Sequence, residues 1–164
     1  AKGAKGGVEP GPPDGVDSIF RDYAVTPDAI ENVLSTRRGS APKRLVMLFG
    51  AGGDRDRKKR PIMGKLSADI ADFVIVTSDN PRTEDPEAII ADILPGLKET
   101  RTPYVVRPDR REAIAYAIEN HCPGDVIILC GKGHEDYQII GKTKVHMDER
   151  EIVAEILEKR KREK

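Results

Sequence analysis

Apolar and polar positions follow two different periods along this chain. Short, mostly apolar runs have the length of buried strands, and each is bounded by polar or turn-forming residues. Between these runs, apolar residues recur at spacings of three and four, which predicts helices with one buried face. The predicted strands are 18–23, 45–49, 73–77, 104–106, 126–130, 137–140 and 143–145.

Most of the predicted helices begin at a residue that can cap them. Thr26 and Asp85 each precede a proline, a typical helix start. Asp109 and Asp148 are each followed three residues later by glutamate, as in a capping box, and a further helix begins near Pro61. The residues predicted to face inward are Ile30, Val33, Leu34, Met63, Leu66, Ile70, Ile90, Ile93, Leu94, Leu97, Ile114, Ala117, Ile118, Val153, Ile156 and Leu157.

The alternation of strands with helices predicts the fold class. Strands that are apolar on both faces form parallel sheets covered by helices on both sides. We therefore predict an α/β fold with an open, Rossmann-like sheet of about six strands, mostly parallel. Segments 137–140 and 143–145 would pair about Gly141 as an antiparallel hairpin at the edge of this sheet.

The first fifteen residues differ from the rest. Residues 1–15 contain five glycines and three prolines and little that could be buried. We interpret them as a flexible linker, an interdomain hinge or a remnant of cloning. Residues 16–164 are then expected to form one domain, which agrees with the usual size of a single core.

Charge and cysteine content exclude several classes of protein. The 28 lysines and arginines balance 28 aspartates and glutamates, so the formal net charge is zero. Nucleic acid and membrane surfaces are therefore not expected partners, because both attract an excess of positive charge. The two cysteines, Cys122 and Cys130, are predicted to be free thiols, as is usual in a reducing compartment. We expect a cytoplasmic monomer.

Four polar or glycine-rich loops follow predicted strands. In an open parallel sheet the carboxyl ends of the strands lie at one edge, and ligands bind there. Each loop alone could be an ordinary turn, but their shared location favours a binding site. The loops are 22–28, 50–61, 78–82 and 131–136.

Two nucleotide-binding motifs are incomplete. Gly50 and Gly52 follow a strand as in the dinucleotide fingerprint, but Arg55 occupies the third glycine position and would block the pyrophosphate. This argues against an independent oxidoreductase. Residues 141–143 resemble the end of a P-loop, yet Asp136 replaces the earlier glycine and would repel phosphate. We predict no phosphate cradle, no catalytic residue and no metal site in this chain, since no histidine or cysteine pair has metal-binding spacing.

Three segments of the chain form long motifs. Residues 49–61 read FGAGGDRDRKKRP, residues 79–82 read DNPR, and residues 131–138 read GKGHEDYQ. Together they resemble the C-terminal domain of the Mur ligases, and within that family the branch that adds meso-diaminopimelate. The likeness runs in order from about residue 22 to residue 151. It implies an amino-acid-binding domain that is inactive alone. ATP and magnesium would be bound mainly by a central domain absent from this chain, and the UDP-N-acetylmuramoyl-dipeptide by the absent domains.

The resemblance assigns roles to loop residues, and physical chemistry agrees with them. Diaminopimelate differs from lysine by a second carboxylate beside its distal amine. Arg82 offers a planar fork that suits a carboxylate, and Asn80 can add a hydrogen bond from its amide. Asp79, at the start of the same motif, is assigned to the same binding site. Glu135, with the carbonyl of Gly131, can receive the ammonium, and Arg55 suits the other carboxylate at the reacting end.

Each of these residues also has an ordinary structural explanation. The DNPR segment that begins at Asp79 could be a simple turn. Glu135 could be a surface carboxylate, and Arg55 could pair with Asp54 or Asp56. We favour the binding interpretation because the residues occur together, in family order, at one edge of the predicted sheet.

The segment 22–28 resembles a family segment that faces the nucleotide when the domains close. Asp22, Thr26 and Lys59 are therefore expected to face ATP. Val25 stands where the family usually has histidine, which removes an imidazole that could contact the nucleotide. This difference keeps an alternative open, in which the chain is a non-catalytic Rossmann-like module that binds or senses a small molecule.

Overall fold

A six-stranded sheet forms the centre of the structure, a computed structural model that describes residues 8–10, 18–41 and 43–163. Its strands are β1 (Val8–Pro10), β2 (Ser18–Asp22), β3 (Leu45–Phe49), β4 (Phe73–Val76), β5 (Tyr104–Val106) and β6 (Val126–Cys130). Their order across the sheet is β1-β2-β6-β3-β4-β5. All neighbours from β2 to β5 pair in parallel, and β1 runs antiparallel to β2. The predicted α/β fold with an open, mostly parallel sheet is confirmed.

Within the described residues, five helices cover the two faces of this sheet. They are α1 (Pro27–Arg38), α2 (Lys59–Ile70), α3 (Pro86–Lys98), α4 (Arg110–Glu119) and α5 (Glu149–Arg162). The four predicted caps, at Thr26, Asp85, Asp109 and Asp148, each accept a backbone N–H from the first turn of their helix. None of the helices in the described part of the chain has the length and apolarity needed to cross a membrane.

The sheet is buried on both faces, which explains the unbroken apolar runs of the central strands. Met47 and Phe49 of β3 belong to the cluster that packs against α1, α2 and α3. Val46 and Leu48, which point to the opposite face, belong to the cluster that packs against α4 and α5. Successive residues of a strand face opposite sides, so every position in β3 and in β6 is buried.

The predicted hairpin forms, but as a sheet of its own. Strands β7 (Tyr137–Ile140) and β8 (Thr143–His146) pair with each other and not with the six-stranded sheet. The segment that follows β6 begins at the carboxyl edge of the main sheet, where the loops after the other parallel strands also lie. There it joins the loop after β4, since Arg82 donates its N–H to Ile139 O at 3.0 Å and Gly141 donates to Arg82 O at 2.6 Å.

The antiparallel edge of the main sheet lies near the start of the chain. Strand β1 (Val8–Pro10) lies within residues 1–15, the segment that we interpreted as a linker and in which we predicted no strand. It pairs with β2. A three-residue strand with a single partner has too few alternating positions to be recognised from sequence. The remainder of the linker, residues 1–7 and 11–15, lies outside the described residues.

The order of the strands determines which loops meet. β6 is the last strand of the main sheet along the chain, yet it lies between β2 and β3. The loop after β6 therefore has the loops after β2 and β3 on its two sides. This is the place where the strand order reverses, and open α/β sheets bind ligands in the crevice at such a point.

Candidate functional site

A cavity of about 420 Å³ opens at the carboxyl edge of the sheet. Of the residues selected from the sequence, all but Asp22 line it. They are Thr26, Arg55, Lys59, Asp79, Asn80, Arg82, Gly131 and Glu135. The remaining lining residues are Val25, Ala51, Gly52, Asp56, Arg60 and Met63, none of which we had selected as a site residue. The structure thus brings the separate sequence motifs to one surface.

Glycines allow the loops after β3 and β4 to touch through their backbones. Gly53 donates its N–H to Asn80 O at 2.8 Å, and a Cβ at Gly53 would lie 1.8 Å from Pro81 O. A Cβ at Gly50 would lie 2.4 Å from Thr77 O. Any side chain at either position would therefore push the DNPR loop away from the end of β3.

Arg82 is held in an unusual backbone conformation. Its φ is 51°, which is uncommon for a residue with a side chain. The hydrogen bonds of its backbone to the hairpin hold this conformation, and its Nη1 donates to Gly53 O at 2.9 Å. The rest of the guanidinium fork is available, because no carboxylate of the described residues forms an ion pair with it. Arg82 can therefore offer further donors to an anionic ligand.

Asp79 and Asn80 form the polar floor of the cavity, and Lys132 lies behind them without lining it. Lys132 is fully buried, and its ammonium lies 3.5 Å from Asp79 Oδ1. It also donates to Asn80 Oδ1, which accepts a second hydrogen bond from the N–H of Ile139 at 2.9 Å. Burial lowers the pKa of Lys132, and the negative charge of Asp79 opposes that effect. We did not select Lys132 from the sequence, because a lone lysine in a loop is usually solvated.

Arg110 supports this floor from the side of the sheet. Its fully buried guanidinium donates to Ser78 O, to Cys130 O and to Glu149 Oε2, each at 2.9 Å. The two carbonyls belong to the residues that immediately precede Asp79 and Gly131. One side chain therefore holds the starts of two loops of the site. Nothing in the sequence around Arg110 indicates this role, since its partners lie far away along the chain.

The glycine-rich loop after β3, residues 50–61, is held in place by a different arginine. Arg60 is buried and donates to Gly52 O at 3.0 Å, while Glu84 and Asp92 accept its other hydrogen bonds. The hydrogen bond from Arg60 lowers the pKa of Glu84. The Arg60 guanidinium and the Gly53 N–H are therefore both engaged in contacts within the fold.

The rim of the cavity carries charged side chains that are open to solvent. Arg55 and Lys59 are exposed. Arg55 donates to the backbone carbonyl of Asp54 at 3.0 Å, and not to a carboxylate as its ordinary explanation required. Glu135 is partly buried and accepts a hydrogen bond from the Tyr137 hydroxyl at 3.2 Å. The charge of Glu135 raises the pKa of Tyr137.

Asp22 lies behind the cavity instead of in its wall. Its Oδ1 accepts the N–H of Ala24 at 2.9 Å. Its carbonyl accepts the N–H groups of Gly131 and Gly133, at 2.8 and 3.1 Å. These bonds join the loop after β2 to the loop after β6. In the described residues, no group of three or more His, Cys, Asp and Glu is arranged to hold a metal ion.

Comparison with known proteins identifies the family to which these motifs belong. Residues 10–133 match the family model described as "Mur ligase, glutamate ligase domain". A UDP-N-acetylmuramoyl-L-alanyl-D-glutamate–2,6-diaminopimelate ligase of Caldanaerobacter subterraneus is 57% identical over 139 residues, 85% of this chain and 29% of that protein. The ligase of the same name from Clostridioides difficile is 50% identical over 97% of this chain and 33% of its own length.

A solved structure of a ligase with that name superimposes on the chain. The TM-score is 0.87 at 40% sequence identity, and the match covers 95% of this chain and 31% of the other. The present chain therefore spans about a third of the length of the proteins that it resembles.

Proposed function

Because this chain belongs to the Mur ligase family, we propose that its cavity binds the amino acid that such a ligase adds. The proposed amino acid is meso-diaminopimelate, and the proposed acceptor is UDP-N-acetylmuramoyl-L-alanyl-D-glutamate. As part of a longer protein, the chain would contribute to an ATP-dependent ligase of peptidoglycan precursor synthesis in the cytoplasm. The names of the relatives that are half or more identical support this proposal.

The distribution of charge in the cavity is the observation that carries the proposal. Arg55 and Arg82 offer two guanidinium groups, and Glu135 offers one carboxylate, around the same space. Diaminopimelate carries two carboxylates and two ammonium groups, so it presents anionic groups at both ends. Lysine would leave one guanidinium without a partner, and a polar site of this kind rejects such an analogue strongly.

The chain would contribute to the reaction by binding and orienting the amine. ATP, bound by the rest of the protein, would transfer its terminal phosphoryl group to an oxygen of the D-glutamate carboxylate, and ADP would leave with the electrons of the broken P–O bond. The amine nitrogen then bonds to that carbonyl carbon, phosphate leaves with the electrons of the broken C–O bond, and the nitrogen loses a proton. Arg55 would hold the carboxylate at the reacting end, while Arg82 and Glu135 would hold the distal carboxylate and ammonium. Such positioning lowers the entropic part of the barrier.

Titration with both amino acids tests the proposal. We expect meso-diaminopimelate to shift the backbone amide resonances around Arg82 and Glu135, and L-lysine to shift them much less at equal concentration. The affinity of this chain alone can be low, because the relatives are about three times longer and their further residues can contribute to binding. Equal responses to the two amino acids, or shifts confined to other parts of the chain, would contradict the assignment.

A non-catalytic binding module is the second candidate. Val25 favours it, because this side chain lines the cavity and is 50% exposed at the position where the family usually has an imidazole. The two candidates differ in a complementation experiment. In this experiment the corresponding domain of a related ligase is replaced by this chain. The first candidate is supported if the hybrid protein still ligates diaminopimelate. Loss of ligation with retained binding of diaminopimelate supports the second.

A further inference from the structure

Lys132 is a buried lysine in the middle of the candidate site. Its side chain is fully shielded from solvent, and it reaches from the loop after β6 across the end of β3 to the loop after β4. Removing an ammonium from water costs several kcal/mol, so such a group persists only where partners compensate. An ammonium donates up to three hydrogen bonds and accepts none. The contacts of Lys132 therefore show which groups compensate for its burial.

One of its contacts determines how an amide is oriented. Asn80 Oδ1 faces both the Lys132 ammonium and the N–H of Ile139. Both of these groups are donors only, so the Asn80 atom that faces them must be the oxygen and not the nitrogen. Both lone pairs of that oxygen are then occupied.

The other end of the same amide is left for a ligand. Asn80 lines the cavity. In the part of the chain that the structure describes, Asn80 Nδ2 has no acceptor within hydrogen-bonding distance. The group that Asn80 can offer in the cavity is thus a donor. A donor attracts a carboxylate, and it repels an ammonium.

We infer that Lys132 is a positioning residue that determines the specificity of this site, because it holds the Asn80 amide with its NH2 group toward the ligand. This inference rests on the proposed function and deepens it. Without the ammonium, only the N–H of Ile139 still holds the Asn80 oxygen, so a rotated amide that presents its oxygen to the ligand becomes more populated. The same asparagine would then favour an ammonium over a carboxylate, and the preference for diaminopimelate over lysine would fall.

A purely structural role for Lys132 makes a different prediction. The lysine also neutralises Asp79, so its removal could loosen the floor and weaken every ligand alike. If Lys132 acts through Asn80, its removal should weaken the binding of diaminopimelate but not that of lysine. This effect should disappear when the Asn80 side chain is already absent. A double-mutant cycle measures that coupling directly.

The experiment uses the 164-residue chain, its variants and the two free amino acids. Lys132→Met removes the charge and the donors but keeps most of the volume. We expect this variant to bind meso-diaminopimelate about tenfold more weakly and L-lysine less than twofold differently, since a tenfold change corresponds to ~1.4 kcal/mol. In an Asn80→Ala background, Lys132→Met should change diaminopimelate binding less than twofold. Lys142→Met, at an exposed lysine of the hairpin turn, is the matched control and should change neither.

Equal weakening of both amino acids, or the same tenfold loss in the Asn80→Ala background, would overturn the inference. If Lys132→Met does not fold, the wild-type chain still provides a test. The side-chain NH2 resonances of Asn80 should shift on addition of diaminopimelate and stay in place with lysine. Unchanged Asn80 resonances in the presence of bound diaminopimelate would equally overturn it.

Failure of the proposed function gives a different result. If the wild-type chain binds neither amino acid, the proposed function is wrong, and simpler probes then test the amide alone. Glutarate, a dicarboxylate, should shift the Asn80 NH2 resonances, and 1,5-diaminopentane should not. A response to the diamine, or to neither probe, would show that the amide does not present a donor.

Discussion

The floor of the cavity, formed by Asp79 and Asn80, is buried, whereas its rim, formed by Arg55, Lys59 and Glu135, is partly or fully open to solvent. The floor groups are held by hydrogen bonds before any ligand arrives. Ordering a long side chain of the rim on binding costs about 0.5–1.5 kcal/mol. The floor is therefore suited to discriminate between ligands, and the rim to capture charged ones.

The two regions also differ in how they are tied to the fold. Arg110 connects the floor to Glu149 at the start of α5 and to the ends of β4 and β6. Arg55 of the rim is attached only to the backbone of its own loop among the contacts that the structure describes. Substitutions under the floor should therefore change the free energy of unfolding, whereas substitutions at the rim should change ligand binding alone.

The largest effect is expected below the floor. Arg110→Met should lower the free energy of unfolding by about 3–5 kcal/mol, because it leaves the buried carboxylate of Glu149 without its partner. Its neighbour Arg111 pairs with Glu155 at the surface, where both side chains are more than half exposed. Arg111→Met is the control and should cost less than about 1 kcal/mol. Equal losses in urea denaturation would contradict the special position of Arg110.

The second-largest effect on stability is expected where the loop after β3 meets the loop after β4. Gly53→Ala should lower the free energy of unfolding by about 1–3 kcal/mol, because its methyl group would overlap the Pro81 carbonyl. Gly39 ends α1 with a φ of −64°, and the nearest atom to its added Cβ would lie 3.7 Å away. Gly39→Ala should therefore leave the unfolding midpoint unchanged or raise it slightly. A stable Gly53→Ala variant would show that the loops can separate freely.

A substitution at the rim should separate binding from stability. Arg55→Gln should weaken the binding of meso-diaminopimelate about tenfold, or ~1.4 kcal/mol, while the free energy of unfolding stays within about 0.5 kcal/mol. Arg57 belongs to the same loop but forms an ion pair with Asp92 and does not line the cavity. Arg57→Gln should leave binding intact. Isothermal titration and urea denaturation of both variants test this difference, and a matching loss in Arg57→Gln would assign the effect to the loop as a whole.

The smallest effect is expected at His146, on the open surface of the hairpin. The hydrogen bond with Glu151 raises the pKa of His146 above its ordinary value near 6.5. The charged pair therefore stabilises the fold fully below about pH 6.5, the value in the unfolded chain, and this contribution disappears as the pH rises through the higher folded pKa. NMR titration of the imidazole should show the raised pKa, and His146→Gln should abolish only a small pH dependence of the unfolding midpoint. A folded pKa at or below 6.5 would contradict the pair.

The sequence predicted the elements of the fold well because their signals are local. The apolar run of β6 and the cap at Asp85 are both readable within a few neighbouring residues. The meeting of the four loops at one edge could also be predicted, since loops after parallel strands share one edge. The edge strand β1 was not predicted, and the hairpin was predicted at the edge of the main sheet but forms a sheet of its own. Both differences depend on which distant backbone groups remain unpaired.

The supports of the site could not be predicted for a physical reason. Charged residues in a sequence are expected to be solvated, yet Arg110 and Lys132 are fully buried. Burial of each depends on partners brought from other elements, such as Glu149 for the arginine and Asn80 for the lysine. Asp22 shows the reverse case. The resemblance predicts that it faces the nucleotide, and its carbonyl joins two loops, a contact that the sequence did not predict.

The central position of β6 has a consequence for the order in which the chain can fold during synthesis. Strands β2, β3, β4 and β5 leave the ribosome before β6, and β2 and β3 do not pair with each other, because β6 lies between them and pairs with both. A nascent chain that ends before residue 126 therefore leaves one edge of β2 and one edge of β3 unpaired. Such edges readily pair with other chains. We expect stalled or truncated products of this length to aggregate, and the cavity to form only after its last loop has left the ribosome.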